Sequence, residues 1–176
     1  MILRYSAKLG KKLKEFPTKS LPADPNPYLD WTGHLFTAER TQYIIMVNTM
    51  SLYSTVMYGR GITDFSEFMR YWPSFLRDTM KYDGIQLIYD RIVGPAMGIF
   101  YSSKALNKSV TAFVNRLVED AKINLTYNDL SPMEVAERLN EGVRKTENGL
   151  LSSKEIFAGM QLKIKEKHDT DQKRNH

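Results

Sequence analysis

The chain has 176 residues, 42% of them hydrophobic and 26% charged, a balance suited to one folded domain and not to a disordered chain. It contains no cysteine, which excludes disulfides, thiolate metal sites and cysteine nucleophiles. The net charge of +5 is gathered at the ends: residues 1–20 set six basic groups against Glu15, residues 151–176 set six against four acidic ones, and the stretch between is slightly acidic.

Taken in chain order, the apolar run Ile2–Tyr5 predicts a short strand. Ser6 is placed to cap a helix reaching Phe16, with Leu9, Leu13 and Phe16 on its apolar side and lysines on the other, a solvated face. No apolar segment follows these lysines as it would in a secretion signal. The longest apolar run, Tyr43–Val47, falls far short of the ~20 residues that a membrane helix needs, so the expected location is the cytoplasm. Residues 17–30 hold four of the seven prolines and predict an extended surface loop, because proline fixes φ and lacks an N–H.

Three strand-like runs follow, Leu29–Thr37, Gln42–Asn48 and Leu52–Tyr58, with connections short enough for hairpins. The middle run is continuously apolar at Tyr43–Val47, which suits a central strand covered on both faces. Asp64 opens a helix with Glu67 placed for a capping box; Pro73 within it should kink or break it, and Gly84 should stop it. A shorter helix over Gln86–Val93 ends at Gly94-Pro95, and Ala96–Ser102 reads as one more strand.

Asn107 caps the clearest helix, whose stripe runs Val110, Phe113, Val114, Leu117, Val118 and Ala121. Ser131-Pro132-Met133-Glu134 and Ser152-Ser153-Lys154-Glu155 are two further helix starts, the second opening a helix through Ile156, Phe157, Met160 and Ile164. These elements add up to a single α+β domain over residues 1–164: an antiparallel or mixed sheet of about five strands with about six helices packed on it. The strand meander and the Asn107 helix are expected to share one hydrophobic interior, and residues 165–176 to form a frayed polar tail.

The order of these landmarks resembles an uncharacterised bacterial domain-of-unknown-function family. The residues that carry the resemblance are the opening strand and basic helix, Trp31-Thr32-Gly33-His34, Arg40, Asn48, Tyr58-Gly59, Asn107-Lys108-Ser109-Val110 and Asn115, spread over residues 1–145. The resemblance implies a shared fold and no reaction. Members of that family place histidine one residue after the tryptophan, where this chain has Thr32, and asparagine where it has His34. Positions two apart on a strand face the same side about 7 Å apart, a displacement that a catalytic or metal-binding imidazole would not tolerate.

His34 is the one histidine available for a general base, with Asp30 or Glu39 as its orienting partner; His168 and His176 lie in the polar tail. No histidine or aspartate pair outside that tail has metal-ligand spacing, and Gly59-x-Gly61 lacks the lysine of a phosphate loop, so neither metal nor cofactor is expected. Trp31, His34, Arg40, Asn48, Asn107 and Asn115 are the candidate ligand-binding residues, set against the alternative that they form a polar network closing strand ends. The leading expectation is a non-enzymatic cytoplasmic module that binds a protein or small ligand. Beside it stand nucleic-acid association through the basic termini, and an enzyme built on His34, Arg40 and Asn115.

Overall fold

The computed structural model describes residues 1–160, and the expectations for Ile164 and the tail fall outside them. Five strands make one mixed sheet in the order β4-β3-β2-β1-β5. They are β1 (Ile2–Tyr5), β2 (Asp30–Ala38), β3 (Thr41–Asn48), β4 (Ser54–Tyr58) and β5 (Tyr101–Ser103). β2, β3 and β4 form the antiparallel meander, while β1 lies parallel to both β2 and β5. The helices are α1 (Ala7–Leu13), α2 (Phe65–Tyr82), α3 (Gln86–Ile88), α4 (Lys108–Tyr127), α5 (Pro132–Glu141) and α6 over residues 153–160. The protein is therefore α+β, with a five-stranded mixed sheet as its frame.

Side chains alternate across a strand, so a sheet covered on both faces carries two cores. On one face Leu3, Trp31, Ile44, Met46 and Met57 pack under α1, α2 and Phe157 of α6. On the other, Phe36, Tyr43, Ile45, Val47 and Val56 pack under α4 and α5. Residues 44–47 thus serve both cores in turn, as their unbroken apolar run requires. The meander and α4 share a hydrophobic interior as expected, and a second core lies on the other face of the sheet under α1 and α2. No described helix is long and apolar enough to cross a membrane.

Helix starts follow the sequence closely. Ser6, Asp64 and Asn107 each accept a hydrogen bond from the backbone N–H three residues on. Ser131 with Glu134, and Ser152 with Glu155, close reciprocal capping boxes. Several expectations fail. The strand expected over Ala96–Ser102 is confined to Tyr101–Ser103, because Gly94–Ala96 closes a 3-10 turn. α2 is not broken at Pro73: the ring deletes one N–H, but Phe68, Trp72, Leu76 and Met80 stay buried on the sheet and hold the turns on either side. α1 ends at Leu13 because Lys14 turns left-handed (φ 58°), leaving Phe16 73% exposed. On α4, Phe113 is exposed and Leu117 half-buried, so the packed stripe is Val114, Val118, Ala121 and Leu125. A hairpin escaped the sequence reading altogether, β6 (Val143–Thr146) with β7 (Gly149–Ser152), although Asn148-Gly149 is a recognised turn pair.

One close approach sets up the functional region. β1 covers the edge of β2 only as far as the Tyr5–Gly33 pairing, and the Ser6 N–H then donates to the Gly33 carbonyl at 3.0 Å. There the chain leaves the sheet and lays α1 over Gly33. A Cβ on Gly33 would come within 2.6 Å of both Leu9 Cδ2 and Met46 Sδ. Glycine therefore lets α1 sit close, and residues 34–38 of β2 lose their neighbour on that side.

Candidate functional site

The gap left beside residues 34–38 is a groove of about 910 Å³ with α1 on one flank and α4 on the other. Lys8, Lys11 and Lys12 reach it from α1 and Lys122 from α4, while His34 and Phe36 come from β2. Positions 8, 11 and 12 share one side of a helix by their three- and four-residue spacing. Among the described residues Glu119 is the one carboxylate on the lining, and it pairs with Lys122 at 2.7 Å. Lys12 Nζ donates to Gln42 Oε1 at 2.9 Å, and burial pulls its pKa down. A partly desolvated ammonium on a lining shared with three other lysines favours an incoming anion.

His34 lies half-buried in this groove. Its Nδ1 is 2.9 Å from the Leu35 carbonyl, which only accepts, so the proton sits on Nδ1 and Nε2 carries the lone pair. Burial pushes the imidazole below its ordinary pKa; the Leu35 carbonyl acts the other way, and the charges of Lys8 and Lys122 lower it further. Neither expected orienting partner serves it. Asp30 is committed to Arg4, and Glu39 is exposed at the tip of the β2–β3 turn.

Of the six candidate residues, the structure brings His34 and Asn115 together on this groove. Arg40 lines a neighbouring depression with Gln42, Tyr58 and Arg60. Trp31 is fully buried on the opposite face of β2, donating Nε1–H to the Tyr28 carbonyl and packing edge-on to Trp72. Asn48 is also fully buried: its Oδ1 accepts from the N–H groups of Met50 and Ser51 and the Ser51 hydroxyl, and its Nδ2 donates to the Pro27 and Asp30 carbonyls. Asn107 is the exposed cap of α4. Trp31, Asn48 and Asn107 are thus core and framework, which corrects their reading as ligand-binding residues.

Two polar networks had no sequence signal. Arg4 grips Asp30 with two 2.7 Å bonds and spends its remaining N–H groups on Ser103 Oγ and the carbonyls of Leu21, Pro22 and Lys104. Asp30 also accepts from Thr49 Oγ1 and the Asp24 N–H, so this buried pair is saturated and pins the proline-rich loop to the sheet. At the far edge, Tyr53 Oη and Asn140 Nδ2 both donate to Asp83, whose carboxyl burial raises above the ordinary range. Both networks stabilise the frame and leave no open face for a ligand. The described residues contain no group of three or more histidine, aspartate or glutamate side chains placed to hold a metal ion.

The lysines were the part of the site that sequence reasoning missed. Those of α1 read as a solvated helix face, Lys122 carries no signal in the sequence, and only the fold sets the two across from one another. A family model described as "Domain of unknown function (DUF6933)" matches residues 2–155. No curated protein matches the chain.

Proposed function

The chain belongs to the DUF6933 family of domains of unknown function, and we propose that it is a non-enzymatic binding module whose lysine-lined groove takes an anionic ligand. One observation carries this reading: Lys8, Lys11, Lys12 and Lys122 line a common groove where, among the described residues, Glu119 is the one carboxylate and is paired with Lys122. A bound anion would balance the charge that these side chains bring to one lining, where Lys122 alone has a carboxylate partner among the described residues.

Heparin is a suitable probe. The wild-type protein should bind it with an affinity that falls as salt rises, and the Lys8→Glu/Lys122→Glu double variant should bind at least tenfold more weakly. Equal binding by the two proteins overturns the reading. The same assay separates it from association through the basic C-terminal end: removing residues 161–176 should leave heparin binding unchanged if the groove is the site. An enzyme using His34, Arg40 and Asn115 draws less support, since Arg40 lies outside the groove that holds the other two.

A further inference from the structure

Building on that reading of the groove, we propose that the anion is single-stranded nucleic acid, its phosphates held along the lysines and a base stacked on Tyr58. The groove does not end at Gln42. A second depression of about 750 Å³ begins there, lined by Arg40, Thr41, Gln42, Tyr58 and Arg60. Gln42 lines both, and its side chain is tied to Lys12 across the join. The path therefore carries four lysines and then two arginines, with Glu119 as the only acid on either lining among the described residues.

Aromatic rings cross the sheet on the α4 face, opposite the Gln42 side chain, and reach the second depression from that side. Phe36, Tyr43 and Tyr58 are register partners on three successive strands and project from one face of the sheet. Phe36 stacks on Tyr43 at 5.6 Å, and Tyr43 backs Tyr58 at 5.3 Å. Phe36 lines the lysine groove, Tyr43 is buried, and Tyr58, 54% exposed, lines the second depression together with the two arginines. A ring fixed from behind and open in front is a stacking platform, and guanidinium groups beside it add both stacking and charge.

Neither depression is closed over, so an extended strand fits the path better than an enclosed small molecule. A duplex keeps its bases paired and stacked, out of reach of Tyr58. An acidic peptide would satisfy the lysines and leave the ring unused. The observations therefore favour a single strand over either of these.

Fluorescence anisotropy tests this with a labelled oligodeoxythymidine of roughly a dozen nucleotides. Its abasic counterpart, a duplex of equal length and a polyglutamate peptide complete the set, with heparin as the control. Tyr58→Leu should weaken oligonucleotide binding about tenfold and leave heparin binding unchanged, because stacking is lost and charge is kept. Tyr58→Phe keeps the ring and should bind like wild type. The salt dependence should follow the phosphates contacted, with a slope of about −0.7 for each. Three results overturn the proposal: undiminished binding by Tyr58→Leu, an abasic strand that binds as well as the base-bearing one, or tighter binding of the duplex or the peptide. If heparin still binds through Lys8 and Lys122 in those cases, the ligand class fails and the groove stands. If heparin does not bind, the groove reading itself fails.

Discussion

Asn140 pairs with Ser54 as a neighbouring strand would: its Oδ1 accepts the Ser54 N–H at 2.7 Å, and its Nδ2 donates to the Ser54 carbonyl at 3.0 Å. Ser54 begins β4, the last strand of the sheet, and Asn140 comes from α5. One carboxamide thus closes a strand edge that would otherwise bury an unpaired donor and acceptor. Asn140→Ala should cost about 2–4 kcal/mol, since each orphaned buried polar group costs about 1–3 kcal/mol. Urea unfolding measures it; a loss below ~0.5 kcal/mol, the range of surface changes, would show that water replaces the amide.

Arg4 and Asp30 are both buried, so removing one strands the other. Asp30→Ala should destabilise the protein by about 3–5 kcal/mol. Arg4→Lys should be damaging too, because an ammonium cannot reproduce the two parallel bonds or reach the carbonyls of Leu21 and Pro22. The proline-rich loop should then open, and limited proteolysis within residues 17–30 should be faster than in wild type.

His34 gives a pH dependence of definite sign. Its folded pKa lies below the ordinary 6.5, so as pH falls past 6.5 the unfolded chain takes up a proton that the folded one refuses. Stability should therefore drop between pH 6.5 and the lower folded pKa, and change no further from this group below it. His34→Gln should show a smaller shift in urea midpoint between about pH 7.5 and pH 5 than wild type does. Bound polyanion reverses the balance, because it offsets Lys8 and Lys122 and favours the imidazolium. Heparin should bind wild type more tightly as pH falls through this range, and His34→Gln should lack that increment.

The β2–β3 turn is strained where it serves the proposed path. Glu39 and Arg40 both have positive φ, 44° and 66°, at the two positions where hairpins favour Asn-Gly. The substitutions Glu39→Asn and Arg40→Gly together should raise stability by about 1 kcal/mol, by relieving left-handed strain at two side chains. They should also weaken oligonucleotide binding by removing a guanidinium beside Tyr58. A variant that is more stable and binds undiminished would take Arg40 out of the site.

Local chemistry made much of the frame legible in advance. Ser6, Asp64, Asn107, Ser131 and Ser152 announce their helices because a cap needs only a side-chain oxygen and the next turn of its own chain. The apolar run at Tyr43–Val47 announces a two-sided strand for the same reason, since alternation is a property of the strand itself. Pro73 misled because the local rule was overruled by burial of the residues on either side. Within the site, His34 and Asn115 were singled out and do meet, but Trp31, Asn48 and Asn107 share their polar or aromatic character with ligand-binding residues while serving the frame.

By itself, then, the sequence determined the α+β class, the helix starts, the central strand and the absence of cysteine chemistry, each set by residues within a turn or two of one another. Tertiary structure alone decided that Arg4 meets Asp30, that Asn140 meets Ser54, and that the lysines of α1 face Lys122 across a gap in the sheet. Those meetings depend on where β1 stops and how closely Gly33 admits α1, and contacts between distant segments leave no periodicity along the chain from which to read them.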